Sequence, residues 1–350
     1  MILPPVNQNK DAIALNPNFS TTRLVTREKP VIINDPCSKV QSVLFLPPNP
    51  ERKGEGGLRT KGYFKRSYDQ ESGLSDNLPL PLVTIITVVF NGEKHLEQTI
   101  QSVINQTYDN VEYIIIDGGS TDGTVDIIRK YEDKIDYWVS EPDNGLYYAM
   151  NQGLNLANGE VIGFINSGDW YELDAIQNSW EHLVNCDVEY TYGKVYLVDE
   201  LGNKFGMSLP ATNKNFGSEI YYRTVYLQLS TFVKKAVYSK FGKFDTNYKI
   251  SADYEFDLRI YVNGCRGVNT NKFIGNFRPA GKSGNSQSTQ EGRDIALKYS
   301  HNKLVVYIRY CFFMVNRYLA NILPYKAVTF LKKIKKSRYN QWSLEEDIFD

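Results

Sequence analysis

VIGFINSGDWY, residues 161–171, reads as a strand that breaks off into a turn. Val161 to Ile165 is an apolar run of the kind that forms a buried strand, and Asn166-Ser167-Gly168-Asp169 is turn chemistry. Asp169 then stands just beyond a strand, where open α/β sheets bind ligands at the carboxyl ends of their strands. The stretch is expected to hold a divalent metal on the diphosphate of a nucleotide. An Asp in a turn after a strand is also ordinary by itself, so the weight falls on the segments around it.

Upstream, Val83 to Phe90 (VTIITVVF) is a second β-branched run, ended by Asn91-Gly92. Leu96, Ile100, Val103 and Ile104 follow at helical spacing. Val111 to Ile116 is a further strand, opening into the loop DGGSTDGT of residues 117–124 and a helix to Tyr131. Ile135 to Val139 is another strand, followed by Glu141-Pro142-Asp143-Asn144-Gly145 and a helix through Ala149, Met150 and Leu154. Strand–helix alternation at this spacing predicts an α/β fold, a mostly parallel sheet with helices on both faces. Right-handed crossovers bring the loops to one edge. Beyond Trp170 the spacing predicts a helix over 174–184, two strands flanking a turn at Gly202-Asn203, irregular chain over 205–225 and a strand over 227–233. A short helix over 234–241 and a helix over 248–258 capped by Ser251 complete it.

Forty Lys/Arg balance forty Asp/Glu, so no overall field favours nucleic acid. The four cysteines are far apart with no CxxC pair, which argues against zinc and for a reducing compartment. MILPPVNQNK lacks a signal-peptide pattern, and no run of about 18 apolar residues predicts a spanning helix. Residues 1 to about 80 carry eight prolines up to position 50 and then a Gly/Lys/Arg-rich piece. They read as an irregular arm, a solvated tether rather than a membrane or partner contact. Residues 301–340 hold nine Lys/Arg and no acid. Leu304, Ile308, Cys311, Phe312, Val315 and Leu319 fall on one helical face there, which reads either as a basic amphipathic helix lying in a membrane surface or as an ordinary packed helix with a solvated basic end.

Asp169 has no His or Cys companion, so the metal is a hard, oxygen-liking ion, Mg²⁺ or Mn²⁺, which takes one or two carboxylates beside phosphate and water. Gly118, Gly119 and Gly123 permit close backbone approach. Ala280-Gly281-Lys282-Ser283 lacks the leading Gly of a P-loop, and the loop after Asp117 lacks G-x-G-x-x-G, so neither motif is assigned.

Together, ITVVFNGEKHLEQTIQSVINQTY, VEYIIIDGGSTDGT, SEPDNGLYYAMNQGLNLANGEVIGFINSGDWY and GKFDTNYKISADYEF resemble family-2 glycosyltransferases of the GT-A fold, in the branch of exopolysaccharide, colanic-acid-like and O-antigen assembly. The resemblance implies that residues 82–200 bind a nucleotide-sugar donor, a UDP-sugar. Residues 201–300 would form the acceptor half of the same domain, after an arm over 1–81 and before a tail over 301–350. Thr87, Val88, Phe90 and Asn91 would line the donor, largely through backbone. Asp117 would contact the base beside Asp143, Asn144 and Gly145, Asp169 would bind the metal, and Asp253 would be the catalytic base. The reaction would invert configuration, with a glycan or lipid-linked acceptor, in the cytoplasm at the inner face of a membrane. Gly118, Gly168 and Gln228 depart from residues common in the family, which leaves a non-catalytic sugar-nucleotide-binding or scaffold subunit as the alternative. A nucleotidyltransferase would need an Arg/Lys-bearing glycine-rich loop after the first strand, and Asn91-Gly92-Glu93-Lys94-His95 lacks it.

Overall fold

A computed structural model describes residues 13–68, 80–211, 213–279 and 286–322. Its strands are β1 (Gly54–Gly56), β2 (Val83–Val89), β3 (Val111–Asp117), β4 (Tyr137–Ser140), β5 (Val161–Asn166), β6 (Trp170–Tyr171), β7 (Tyr190–Val198), β8 (Lys204–Ser208), β9 (Phe232–Lys234) and β10 (Gly267–Phe277). They make one sheet in the order β1-β4-β3-β2-β5-β9-β7-β10-β6, with β8 on β7. The block β4-β3-β2-β5 is parallel. The second half is mixed, since β9 runs antiparallel between β5 and β7 while β7 and β10 are parallel.

The parallel block has both faces covered, which explains why its strands read as unbroken apolar runs. Ile86, Val88, Ile114, Ile116, Ile162 and Phe164 face one core with the helix Leu146–Leu156. Val83, Ile85, Val111, Tyr113, Ile115 and Ile165 face the other with Leu96, Ile100 and Val103 of the helix Leu96–Ile104. From β2 the chain winds to β3 and β4 on one side, then returns to β5 on the other. That reversal puts a topological switch point between β2 and β5.

Several expectations are corrected. The arm is not a solvated tether over its described residues. Gly54–Gly56 pairs antiparallel with β4 as an edge strand. The glycines are required there, since a Cβ at Gly54 or Gly56 would lie 2.8 or 2.5 Å from the Trp138 ring. Arg59 is buried, reaching Glu112 at 2.6 Å and the carbonyls of Leu44 and Leu156. Such contacts have no local sequence signature. The strand expected over 227–233 is a 3-10 turn, Gln228–Ser230, followed by β9; β8 is the second strand expected around Gly202-Asn203, and the chain beyond it to 225 contains the helix Asn213–Glu219. Ser251 precedes the helix Ala252–Val262 without capping it through its side chain. The Glu291 carboxylate takes the amides of Lys249, Ile250 and Ser251 instead, at 3.0, 2.9 and 3.0 Å. The rejected P-loop remnant at 280–283 lies outside the described residues.

Candidate active site

Parallel register sets the strand ends in a row. Val89 stands beside Asp117, Asp117 beside Ser140, and Val88 beside Asn166. Each strand ends where its apolar run meets Asn91-Gly92, Gly118-Gly119, Pro142-Asp143 or Ser167-Gly168, so the four loops are delivered to one edge.

The loops are cross-linked. Asn91, at φ 51°, donates its amide to Ser120 Oγ at 2.7 Å and accepts the Thr121 amide at 2.8 Å. Asp117 is fully buried. Its carboxylate accepts the Ser120 amide at 2.9 Å, the Ser120 hydroxyl, and the Ser140 hydroxyl at 2.6 Å. In this structure the Asp117 side chain ties the β3 and β4 loops together. Thr87 and Val88 are core residues as well, with Thr87 Oγ1 paired to the Tyr113 hydroxyl at 3.0 Å. Phe90 is 65% exposed, and Asn91, Asn144 and Gly145 are also open at this edge.

Asp143 is half-buried and accepts the Gly145 amide at 2.7 Å. Burial raises its pKa against the pull of that amide, with the Asp117 charge adding to the rise. A Cβ at Gly118 would meet Asp143 Oδ2 at 2.9 Å. The room left by this departure from the family pattern is thus taken by the Asp143 carboxylate.

Asp169 is 5% exposed. Burial pushes its carboxyl up to about 7, although the Arg278 amide donates to Oδ1 at 3.0 Å and the Arg278 charge opposes the rise. Its own carbonyl accepts the Thr99 hydroxyl at 2.7 Å. Gly168, at φ 107°, passes its carbonyl to Arg278 Nη1 at 2.7 Å. Arg278 is buried, bonds the Asp199 carbonyl at 3.2 Å and lies 5.3 Å over the Trp170 ring. The sequence reading missed it. It follows β10, whose alternation is broken by Asn269-Thr270-Asn271-Lys272, so nothing marked a strand end there.

Among the described residues no group of three His, Cys, Asp or Glu is placed to hold a metal. The oxygen chemistry beside Asp169 nevertheless suits a hard cation. Asn166 Oδ1 and Ser167 Oγ are buried without a hydrogen-bond partner, and buried polar atoms are normally paired. One carboxylate and oxygen donors fit Mg²⁺ or Mn²⁺ completed by phosphate oxygens.

Asp253 is tied to the donor-side helix by Tyr147, whose hydroxyl lies 2.9 Å from Asp253 Oδ1 and 2.7 Å from the Ile250 carbonyl. That hydroxyl has one proton for two acceptors. Burial raises the Asp253 pKa against the pull of the Tyr147 hydroxyl, which donates to Oδ1. One turn on, Asp257 is raised well above the carboxylate range, first by burial and then by the Asp253 charge. The sequence reading passed it over. Gln228, the third departure from the family pattern, points its amide at Met150 Sδ, 3.7 Å away.

Comparison with known proteins accords with this layout. Residues 84–245 match Glycosyl transferase family 2. An uncharacterized glycosyltransferase of Mycobacterium tuberculosis is 34% identical over 191 residues, 51% of this chain and 68% of the relative. The putative teichuronic acid biosynthesis glycosyltransferase TuaG of Bacillus subtilis is 34% identical over 116 residues, 32% of this chain and 46% of TuaG. Among solved structures, S. aureus TarS 1–349 in complex with UDP aligns with a TM-score of 0.51 at 19% identity, over 68% of this chain and 72% of that one. The mannosyltransferase PcManGT of Pyrobaculum calidifontis, in complex with GDP-Man and Mn²⁺, aligns with a TM-score of 0.50 at 17% identity, over 73% and 80%. At that identity the likeness shows the fold alone, which is the GT-A arrangement. A parallel block, four loops at its switch-point edge and a family match across them lead to one conclusion: the chain belongs to glycosyltransferase family 2.

Proposed function

We propose that this glycosyltransferase is an inverting, metal-dependent enzyme that moves a hexose from a nucleotide-sugar donor to a glycan or lipid-linked acceptor in cell-surface polysaccharide synthesis. The observation that carries the reading is the buried Asp169 carboxylate at the switch-point edge, on the same turn as two unpartnered side-chain oxygens, Asn166 Oδ1 and Ser167 Oγ. A UDP-sugar is the donor first expected, in keeping with the UDP bound by TarS, while PcManGT holds GDP-Man and Mn²⁺. TuaG, a relative named for teichuronic acid biosynthesis, supports the polymer class.

Phe90 offers a ring face to the base, and the open backbone of Asn91, Asn144 and Gly145 lines the rest of the nucleotide site. Asp117 keeps those loops in place through Ser120 and Ser140. Asp169 would hold the metal, which when bound neutralises the leaving diphosphate. Asp253, ionised, takes the acceptor hydroxyl's proton as it attacks. Its raised pKa makes it a stronger base. A single displacement needs one base, whereas retention would need a second carboxylate acting as nucleophile.

The tail is assigned to a membrane surface at the cytoplasmic face. The helix Lys303–Ile322 packs through Val306, while Leu304, Ile308, Phe312 and Val315 on the opposite stripe are exposed. No described helix is long and apolar enough to cross a membrane.

UDP- and GDP-sugars are screened for thermal stabilisation with and without Mn²⁺, followed by transfer assays on Asp169→Ala and Asp253→Ala. Asp253→Ala should keep donor binding and lose transfer by about 10²–10⁴-fold. Donor binding without any transfer by the wild type would favour the non-catalytic subunit, which the Gly118 and Gly168 departures make the competing reading. Full activity of Asp169→Ala would remove the metal from the proposal.

A further inference from the structure

The family match begins at residue 84, yet two cations well before it reach the loops of the site. The Lys53 amide donates to the Ser140 carbonyl at 2.8 Å, continuing the β1–β4 ladder. The Lys53 side chain then crosses to the next loop. Its Nζ donates to the carbonyls of Gly119 and Ser120 at 2.6 and 3.1 Å. Ser120 is the residue that bonds both Asp117 and Asn91. The preceding residue, Arg52, bonds Glu141 of the β4 loop at 2.8 Å through Nε. It also bonds Glu55 at 2.7 Å and the Pro47 carbonyl at 2.7 Å. Glu141 is itself buried, and Gly119, at φ 80°, leaves no room for a Cβ beside Pro142. One dipeptide just before an edge strand thus ties together the loops that follow β3 and β4.

We propose that the Arg52-Lys53 clamp is a positioning element of the nucleotide site, holding the 117–124 and 141–145 loops in the conformation that admits a nucleoside diphosphate. The inference rests on the donor-site reading above. Three physical reasons support it. The 117–124 loop holds three glycines, and between their flanking elements both loops lack regular structure, so side-chain bonds help set their conformation. Asn91 supplies those bonds from the β2 side, and Lys53 and Arg52 supply them from the edge. The edge also gathers Glu93, Asp117, Asp122, Glu141 and Asp143, a negative field that opposes an anionic ligand. A charged amine on the loop carbonyls and a guanidinium on Glu141 lower that field. Both cations spend their hydrogen bonds on the loops, so these are positioning residues.

The test uses the full chain and isothermal titration of UDP and of GDP, each with and without Mn²⁺. Variants are Lys53→Met, Lys53→Arg and, as a control on the same arm, Lys61→Met, whose partner is Glu132. Loss of one charge-assisted contact predicts a Kd about tenfold weaker for Lys53→Met. The fraction of competent sites and the melting temperature should stay unchanged. Lys53→Arg should recover most of the affinity, and Lys61→Met should bind as wild type. A merely structural role would instead lower the competent fraction at constant Kd. Wild-type affinity in Lys53→Met, or equal weakening in Lys61→Met, would overturn the clamp while leaving the donor site intact. Failure of the wild type to bind either nucleotide under any condition would overturn the donor site, and the clamp with it.

Discussion

Asp169→Asn separates the electrostatics of the site from its shape, because the amide keeps the size of the carboxyl and removes its titration. Burial carries the Asp169 pKa from 3.8 to about 7. Between those values the folded chain keeps a proton that the unfolded chain has released. Wild-type stability without metal therefore falls as pH rises through that window, and this contribution is level above about pH 7. From pH 5 to pH 7 the interval is two pH units, and at about 1.36 kcal/mol for each the loss is about 3 kcal/mol. The neutral amide in the variant carries no such penalty. Other buried carboxyls such as Asp143 and Asp253 titrate in both proteins, so the difference between the two profiles isolates Asp169. In chelator, the variant should gain on the wild type by about 3 kcal/mol between pH 5 and pH 8. For a chain of this size that is about 4 °C in melting temperature. Adding Mn²⁺ and UDP should stabilise the wild type at pH 8 far more than at pH 5, because the ion must displace the proton. The variant should show little metal-dependent gain at either pH. Melting scans across pH 5 to 8, checked by urea titration at the two ends, measure both effects. Parallel pH profiles for the two proteins would refute the buried, metal-ready carboxylate.

Two other outcomes follow from particular contacts. Gly56→Ala brings a Cβ to 2.5 Å from Trp138 Nε1 and should cost about 1–3 kcal/mol in urea unfolding; unchanged stability would mean that β1 does not lie on β4. Replacing Ile308 and Phe312 together by Glu, on the exposed stripe of the tail helix, should reduce co-sedimentation with phosphatidylglycerol vesicles while nucleotide binding persists. Equal sedimentation of variant and wild type would remove the membrane assignment.

The parallel block and its four loops were legible in the sequence. Strands buried on both faces need unbroken apolar runs, and chain leaving such a strand needs turn residues, so Val83–Val89, Val111–Asp117 and Val161–Asn166 carry their ends with them. Asp169 stood out only together with the neighbouring loops at the same edge, and Asp253 only through the resemblance to family-2 glycosyltransferases. The rest depended on partners distant in the chain. Asp117 looked like a free carboxylate at a strand end, and only the packing of Ser120 and Ser140 around it decides that it is enclosed. Arg278 meets Gly168 across 110 positions, and Lys53 meets Gly119 across 66. Gly54 and Gly56 looked like linker glycines until Trp138 lay against them. Local sequence records what a residue prefers with its neighbours. A guanidinium that closes a turn, or a lysine that braces a loop, obtains its stability from groups that only folding brings within about 3 Å. Local pattern therefore determined the parallel block and its loop chemistry, and the tertiary structure alone decided which side chains are enclosed and which hold the loops.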